Sequence, residues 1–207
     1  MVDESKVEVN YDIVIAGMGG QGSILASYLL AEAALIDKLP VLSTGDYGMA
    51  QRGGMVTTHL RLGSSARSQK IPVGCADLMI GCAPSEALRN IGFLHEGAAV
   101  VLDTLVHIPI PVYIDKKLTY PTFDEIKARF DTSFEKVYAI DASTIAQEFG
   151  NPRIMNTVLL GASLALGTIP ISRAAMMEAL ESKLRADLVQ INIDAFERGE
   201  EEMIKLL

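Results

Sequence analysis

Tyr11-Asp-Ile-Val-Ile-Ala-Gly-Met-Gly-Gly-Gln-Gly22 decides the fold. Residues 11–16 form a short, nearly continuous apolar run that ends in glycines, the pattern of a strand covered on both faces. Gly17, Gly19 and Gly22 then follow in the spacing G-x-G-x-x-G. In that spacing the first glycine permits a tight turn and the second lets a phosphate approach the backbone. The third lets the next helix pack closely on the strand. Ser23 to Lys38 has helical spacing, with Leu25, Tyr28, Leu29, Ala33 and Ile36 toward one side, and Leu39 to Ser43 reads as a second strand. The expected unit is strand–loop–helix–strand, with parallel strands and a right-handed crossover. Its helix offers unpaired N–H groups and a partial positive charge to an anion.

From these residues alone, three uses of the loop stay open: binding NAD, binding another phosphate-bearing ligand, or making a close turn with no ligand. A ribose-binding acid is expected at the end of the second strand for NAD. That strand ends Leu42-Ser43-Thr44, with Asp46 beyond it inside further glycines, which is a poor match.

The second glycine-rich stretch, Gly45-Asp-Tyr-Gly-Met-Ala-Gln-Arg-Gly-Gly54, follows the second strand. It should therefore share the carboxyl edge of the sheet with Gly17 to Gly22, the edge where ligands of open α/β sheets sit. Arg52, flanked by Gly53 and Gly54, can present a guanidinium to a phosphate or carboxylate with little hindrance, and Gln51 and Tyr47 can add hydrogen bonds. Equally, the loop can pair Arg52 with Asp46 at the surface or contact a partner chain.

Downstream, Met55 to Leu62, Asp77 to Gly81, Ala98 to Asp103 and Lys136 to Ile140 read as strands, and Val112 to Asp115 as a short edge strand. Pro84 to Leu94 reads as a helix with proline in its first turn. Thr122-Phe-Asp-Glu125 fits a capping box opening a helix to about Phe130. Ala142 to Phe149 is a helix closed by Gly150. Three more helices are expected: about Arg153 to Leu166, Ser172 to Leu184, and Asp187 to Arg198, with a tail after Gly199. Small residues Gly161, Ala162 and Ala165 suit close packing of the first of these, against the sheet or a partner chain, with Asn156 bonding a backbone group. The fold class is α/β: an open, mostly parallel, Rossmann-like sheet with a helical C-terminal portion. One domain is expected over residues 1–207, with a polar extension at 1–10 and the helical portion at 151–207.

The net charge is −8 and the isoelectric point about 4.9, which argues against a nucleic-acid or anionic-membrane partner. Cys75 and Cys82 have no zinc or iron–sulfur spacing and read as buried thiols in a reducing cytoplasm. His59, His95 and His107 are scattered and have no metal-ligand spacing, and no Ser or Cys has a nucleophile setting. Neither a signal peptide nor a spanning apolar run is visible, so a cytoplasmic location is expected. No catalytic or metal-ligating residue is assigned.

The two glycine motifs in order, with Ala76-Asp-Leu-Met-Ile80 and Arg153-Ile-Met-Asn-Thr-Val-Leu-Leu-Gly-Ala162, resemble the gamma subunit family of 2-oxoacid:ferredoxin oxidoreductases. The likeness runs from about Tyr11 to Phe196, and Met-Ala-Gln-Arg-Gly-Gly is most similar to indolepyruvate oxidoreductase-type chains. Pyruvate- and 2-oxoglutarate-type relatives tend to vary the residues before Arg-Gly-Gly.

The resemblance implies oxidative decarboxylation of a 2-oxoacid to an acyl-CoA by a complex of several chains. It places thiamine diphosphate and the iron–sulfur clusters in partner subunits, and leaves this chain inactive alone. It implies that Gly17, Gly19, Gly20, Gln21 and Gly22, with Arg52, Gly53 and Gly54, lie near coenzyme A or a subunit interface. The isolated chain is expected to be able to self-associate through an exposed docking face. The rival readings are a stand-alone nucleotide-binding module or NAD-dependent regulator, and a complete dehydrogenase. Both require a ribose acid that the sequence does not supply.

Overall fold

The computed structural model describes residues 10–45, 54–64, 66–108, 112, 114, 117 and 119–207. Its strands are β1 (Tyr11–Met18), β2 (Val41–Gly45), β3 (Met55–Leu62), β4 (Ala76–Gly81), β5 (Leu94–Asp103) and β6 (Lys136–Ile140). Its helices are α1 (Ser23–Ile36), α2 (Pro84–Arg89), α3 (Phe123–Asp131), α4 (Ala142–Glu148), α5 (Met155–Ala165), α6 (Arg173–Lys183) and α7 (Ala186–Ile204).

The sheet order is β2-β3-β1-β4-β5-β6. β1, β4, β5 and β6 pair in parallel, and β3 lies antiparallel between β1 and β2. The expected strand–helix–strand unit is therefore present with β1 and β2 pointing the same way, but they are not neighbours. β3 returns from β2 as the second arm of a hairpin and takes the place beside β1, pairing Tyr11 with Leu62 through Met18 with Met55.

β1 alternates strictly between two cores. Ile13 and Ile15 pack with α1 and α4–α7, while Val14 and Ala16 pack with α2 and α3. Both sides are covered, which is why the strand reads as an apolar run rather than as an alternation. The C-terminal helices all join the first core, so the helical portion of the chain lies on one face of the sheet.

Several expected boundaries are corrected. The helix expected over Pro84 to Leu94 ends at Arg89, because Asn90 turns its side chain back onto the Glu86 carbonyl. A 3-10 turn over Ile91–Phe93 follows, and β5 already begins at Leu94. Of the edge strand expected at Val112 to Asp115, only Val112 and Ile114 are described, and both are helical; Tyr113 and Asp115 lie outside the described residues. The edges of the sheet are β2 and β6 instead. Cys75 is exposed, not buried.

The largest correction concerns Gly199, expected to end the last helix. α7 continues through it to Ile204. A Cβ on Gly199 would stand 2.0 Å from the Val158 carbonyl oxygen, and one on Gly161 would stand 1.9 Å from that of Phe196. The two glycines thus form the crossing point of α5 and α7, where bare backbone faces bare backbone. Thr122 does open α3 with the reciprocal capping box: Glu125 N donates to its hydroxyl, and its own N–H donates to the Glu125 carboxylate. No described helix is long and apolar enough to cross a membrane.

Candidate functional site

All strands except β3 end on one rim, and β3 begins there. Gly17 to Gly22 leave β1 at this rim, and Gly45 and Gly54 bound the connection from β2 to β3 on it. The two glycine segments touch: the Gly19 N–H donates to the Gly54 carbonyl at 2.8 Å. Arg52 and Gly53, with Asp46, Tyr47 and Gln51, lie outside the described residues.

The first loop is built from three constraints. Gly17 has no room for a side chain, since a Cβ there would meet the Ser23 hydroxyl at 2.4 Å and the Cys82 Cβ at 3.0 Å. Gly20 and Gly22 take φ of +100° and +80°, left-handed values that side chains resist. Gln21 acts as a strut: its Oε1 accepts from the Met18 N–H at 2.7 Å and its Nε2 donates to the Cys82 carbonyl at 3.2 Å. Both ends of its amide are thus engaged within the chain, tying the loop to the ends of β1 and β4.

α1 starts on this loop at Gly22, which supplies no side-chain cap, and its first turn holds no acidic residue. Nothing in that turn offsets the positive end of the helix dipole or competes for its leading N–H groups. A cleft of about 280 Å³ opens beside Gly20 and Gln21, bordered by His107, Ser143, Gln147 and Arg153. Arg153 is exposed and makes no ion pair among the described residues. The cleft and its guanidinium escaped the reading of sequence as a site. Pro152, which opens a 3-10 turn and places Arg153 directly after it at the rim, was the available signal.

Two buried ionisable groups shape the floor of the rim. Burial pushes the Cys82 thiol up to about 12, outweighing the Ser23 hydroxyl beside it, so this sulfur is not a nucleophile. Burial also raises the Asp103 carboxyl, against the lowering effect of Ser143. Asp103 accepts from the Ser143 N–H and hydroxyl, so it serves as a remote cap for α4. His59 is buried against Phe93, with ring centroids 4.8 Å apart. No group of three metal-ligating side chains occurs among the described residues.

A second cleft, about 230 Å³, lies at the opposite rim around Tyr11, Asp77, His95 and Lys136. There the Gly97 N–H donates to His95 Nδ1 at 3.0 Å, and His95 Nε2 faces the Asp77 carboxylate at 3.2 Å. That pairing holds the ring of His95 from both sides and is remote from the glycine segments.

A mixed, mostly parallel sheet whose first strand ends in a glycine turn, hydrogen-bonded to Gly54 ahead of β3 and with a buried thiol beneath it, defines a class: open-sheet α/β domains. Comparison with known proteins narrows the class. The chain belongs to the pyruvate ferredoxin/flavodoxin oxidoreductase family, whose model matches residues 12–202. It is 35% identical over 193 residues to the indolepyruvate oxidoreductase subunit IorB of Archaeoglobus fulgidus, covering 93% of this chain and 95% of that one. The keto/oxoacid ferredoxin oxidoreductase gamma subunit of Geobacter sulfurreducens has the same fold, with a TM-score of 0.67 at 26% identity over 94% of this chain and 99% of its own. A 2-oxoglutarate:ferredoxin oxidoreductase of Magnetococcus marinus, solved with 2-oxoglutarate, coenzyme A and succinyl-CoA bound, shares the fold. Its TM-score is 0.73 at 23% identity; the match spans 98% of this chain but 32% of that one.

Proposed function

We propose that the chain is the gamma-type subunit of a cytoplasmic 2-oxoacid:ferredoxin oxidoreductase of the indolepyruvate type. The complex oxidatively decarboxylates the 2-oxoacid, transfers the acyl group to coenzyme A and passes the electrons to ferredoxin. Thiamine diphosphate, carried by a partner chain, supplies the carbanion chemistry of decarboxylation, and iron–sulfur clusters in partner chains carry the electrons. This chain acts as one domain whose carboxyl rim meets those partners and the phosphate-bearing part of coenzyme A. Gly19, Gly20 and Gly22 admit the anion to the backbone at the start of α1, Gln21 fixes the loop, and Arg52, Gly53 and Gly54 of the second motif serve the same ligand.

The observation that supports this reading is the Gly19–Gly54 bond, which joins the first glycine motif to the last residue of the second beside a helix N-terminus that has no side-chain cap and no acidic residue in its first turn. Rigid presentation of such groups contributes by positioning a substrate rather than by reacting with it. The test is co-expression with the thiamine- and cluster-bearing partner chains. The assembled complex is expected to reduce ferredoxin with indolepyruvate and coenzyme A, while the lone chain does neither step. Turnover by the lone chain, or failure of the partners to co-purify with it, would refute the assignment.

A further inference from the structure

We propose that Asn156 is a positioning residue: it sets the aim of the α1 N-terminus through a buried polar relay that reaches from the glycine loop to α7. The proposal rests on the reading that this N-terminus faces an anionic ligand. Asn156 is 1% exposed, and its Nδ2 donates to the Gly22 carbonyl at 2.9 Å. The same carbonyl accepts the first intrahelical bond of α1, from the Ala26 N–H at 2.9 Å. One side chain therefore holds the residue on which both the left-handed turn and the helix depend.

The other end of the amide is fixed as firmly. Asn156 Oδ1 accepts from the Thr157 N–H at 2.9 Å. The Thr157 hydroxyl donates to Asn192 Oδ1 at 2.6 Å, and Asn192 Nδ2 donates to the Leu188 carbonyl at 2.8 Å. Thr157 and Asn192 are buried too, so this is a satisfied polar chain in a low-dielectric core, which fixes a geometry more firmly than exposed bonds do. Packing alone would be served by leucine, without the desolvation cost of an amide. The fit at the loop is close: a Cβ on Gly22 would stand 2.6 Å from Asn156 Nδ2.

The test uses the complex assembled with its partner chains and coenzyme A as the probe. Asn156→Asp keeps the shape but loses the donor and sets a carboxylate against the Gly22 carbonyl. Thr157→Val removes the hydroxyl's bond to Asn192 and its long 3.5 Å bond to Asn156 Oδ1, keeps the Thr157 N–H bond to Asn156, and guards against a first variant that fails to assemble. Amide exchange of residues 19–25 and the KM for coenzyme A should each rise about tenfold in Asn156→Asp, the scale of one lost buried hydrogen bond. Exchange in β4 and β5, kcat at saturating coenzyme A and the KM for the 2-oxoacid should stay near wild type. Thr157→Val should move the same two readouts by about threefold, because it disturbs the relay one step further from the loop. Unchanged exchange at residues 19–25 in both variants would overturn the proposal. So would a uniform rise across the sheet with kcat falling in step, since that is a purely structural role. A selective rise in exchange with an unmoved KM for coenzyme A upholds the positioning role and sinks the coenzyme A reading.

Discussion

Replacing Gly161 or Gly199 by alanine should destabilise the chain, although both lie inside helices, where alanine is ordinarily the better residue. The propensity gain for Gly→Ala in a helix interior is about 1 kcal/mol. Against it stands a clash with backbone, not with a flexible side chain. The new methyl would sit 1.9 Å from the Phe196 oxygen or 2.0 Å from the Val158 oxygen, where ordinary contact begins at 3.4 Å. α5 and α7 must therefore part by more than an ångström at their crossing. Such overpacking costs about 1–3 kcal/mol. The separation also strains the 2.6 Å bond between Thr157 and Asn192 on the same two helices, and a buried hydrogen bond left unmade adds about 1–3 kcal/mol. The clash wins, by roughly 1–5 kcal/mol net. For a chain of this size that lowers Tm by about 2–20 °C. Thermal unfolding followed by circular dichroism measures it, and the double variant should lose less than the sum because both changes act at one crossing. An unchanged or raised Tm in either single variant would refute the close-crossing argument.

Further expectations follow from the same structure. With Cys82 buried and its thiol held at about 12 while Cys75 is exposed, a neutral-pH alkylating reagent should modify one cysteine in the native chain and two after denaturation, counted by intact mass. Burial raises the Glu86 carboxyl above its ordinary 4.5, and its Oε2 is unbonded in the core. A raised acid weakens the native state as pH climbs from the unfolded value through the folded one, so Glu86→Gln should raise Tm at pH 8 and lose that advantage as pH falls toward 4.5. Equal Tm differences at both pH values would contradict this. Gly20→Ala meets no atom within 4 Å, so its cost should be only that of a left-handed backbone, about 1–2 kcal/mol by denaturant titration.

Much of this architecture was legible in sequence because its signals are local. The β1 run, the positions of the glycines and the Thr122 capping box each follow from chemistry within a few residues. What escaped was decided at a distance. Nothing in Met55–Leu62 states that it returns antiparallel and enters between β2 and β1, since a strand's pattern fixes neither its direction nor its neighbours. Gly199 resembles a helix terminator until Val158, far away in the chain, is seen against it. Gln21 reads as a ligand contact by position, yet its amide spans Met18 and Cys82, a use that appears only when β1 and β4 are side by side. Asn156 was singled out as a backbone-bonding residue, but its partner, Gly22, lies 134 positions away.

The central claim is that the rim where Gly17–Gly22 meets Gly54 receives part of coenzyme A within an assembled oxidoreductase. Hydrogen exchange of the complex with and without coenzyme A tests it most directly. Residues 19–25 should gain protection when coenzyme A is added, while the opposite rim around Tyr11, Asp77 and His95 stays unchanged. Protection confined to the partner chains, with residues 19–25 indifferent to coenzyme A, would contradict the account.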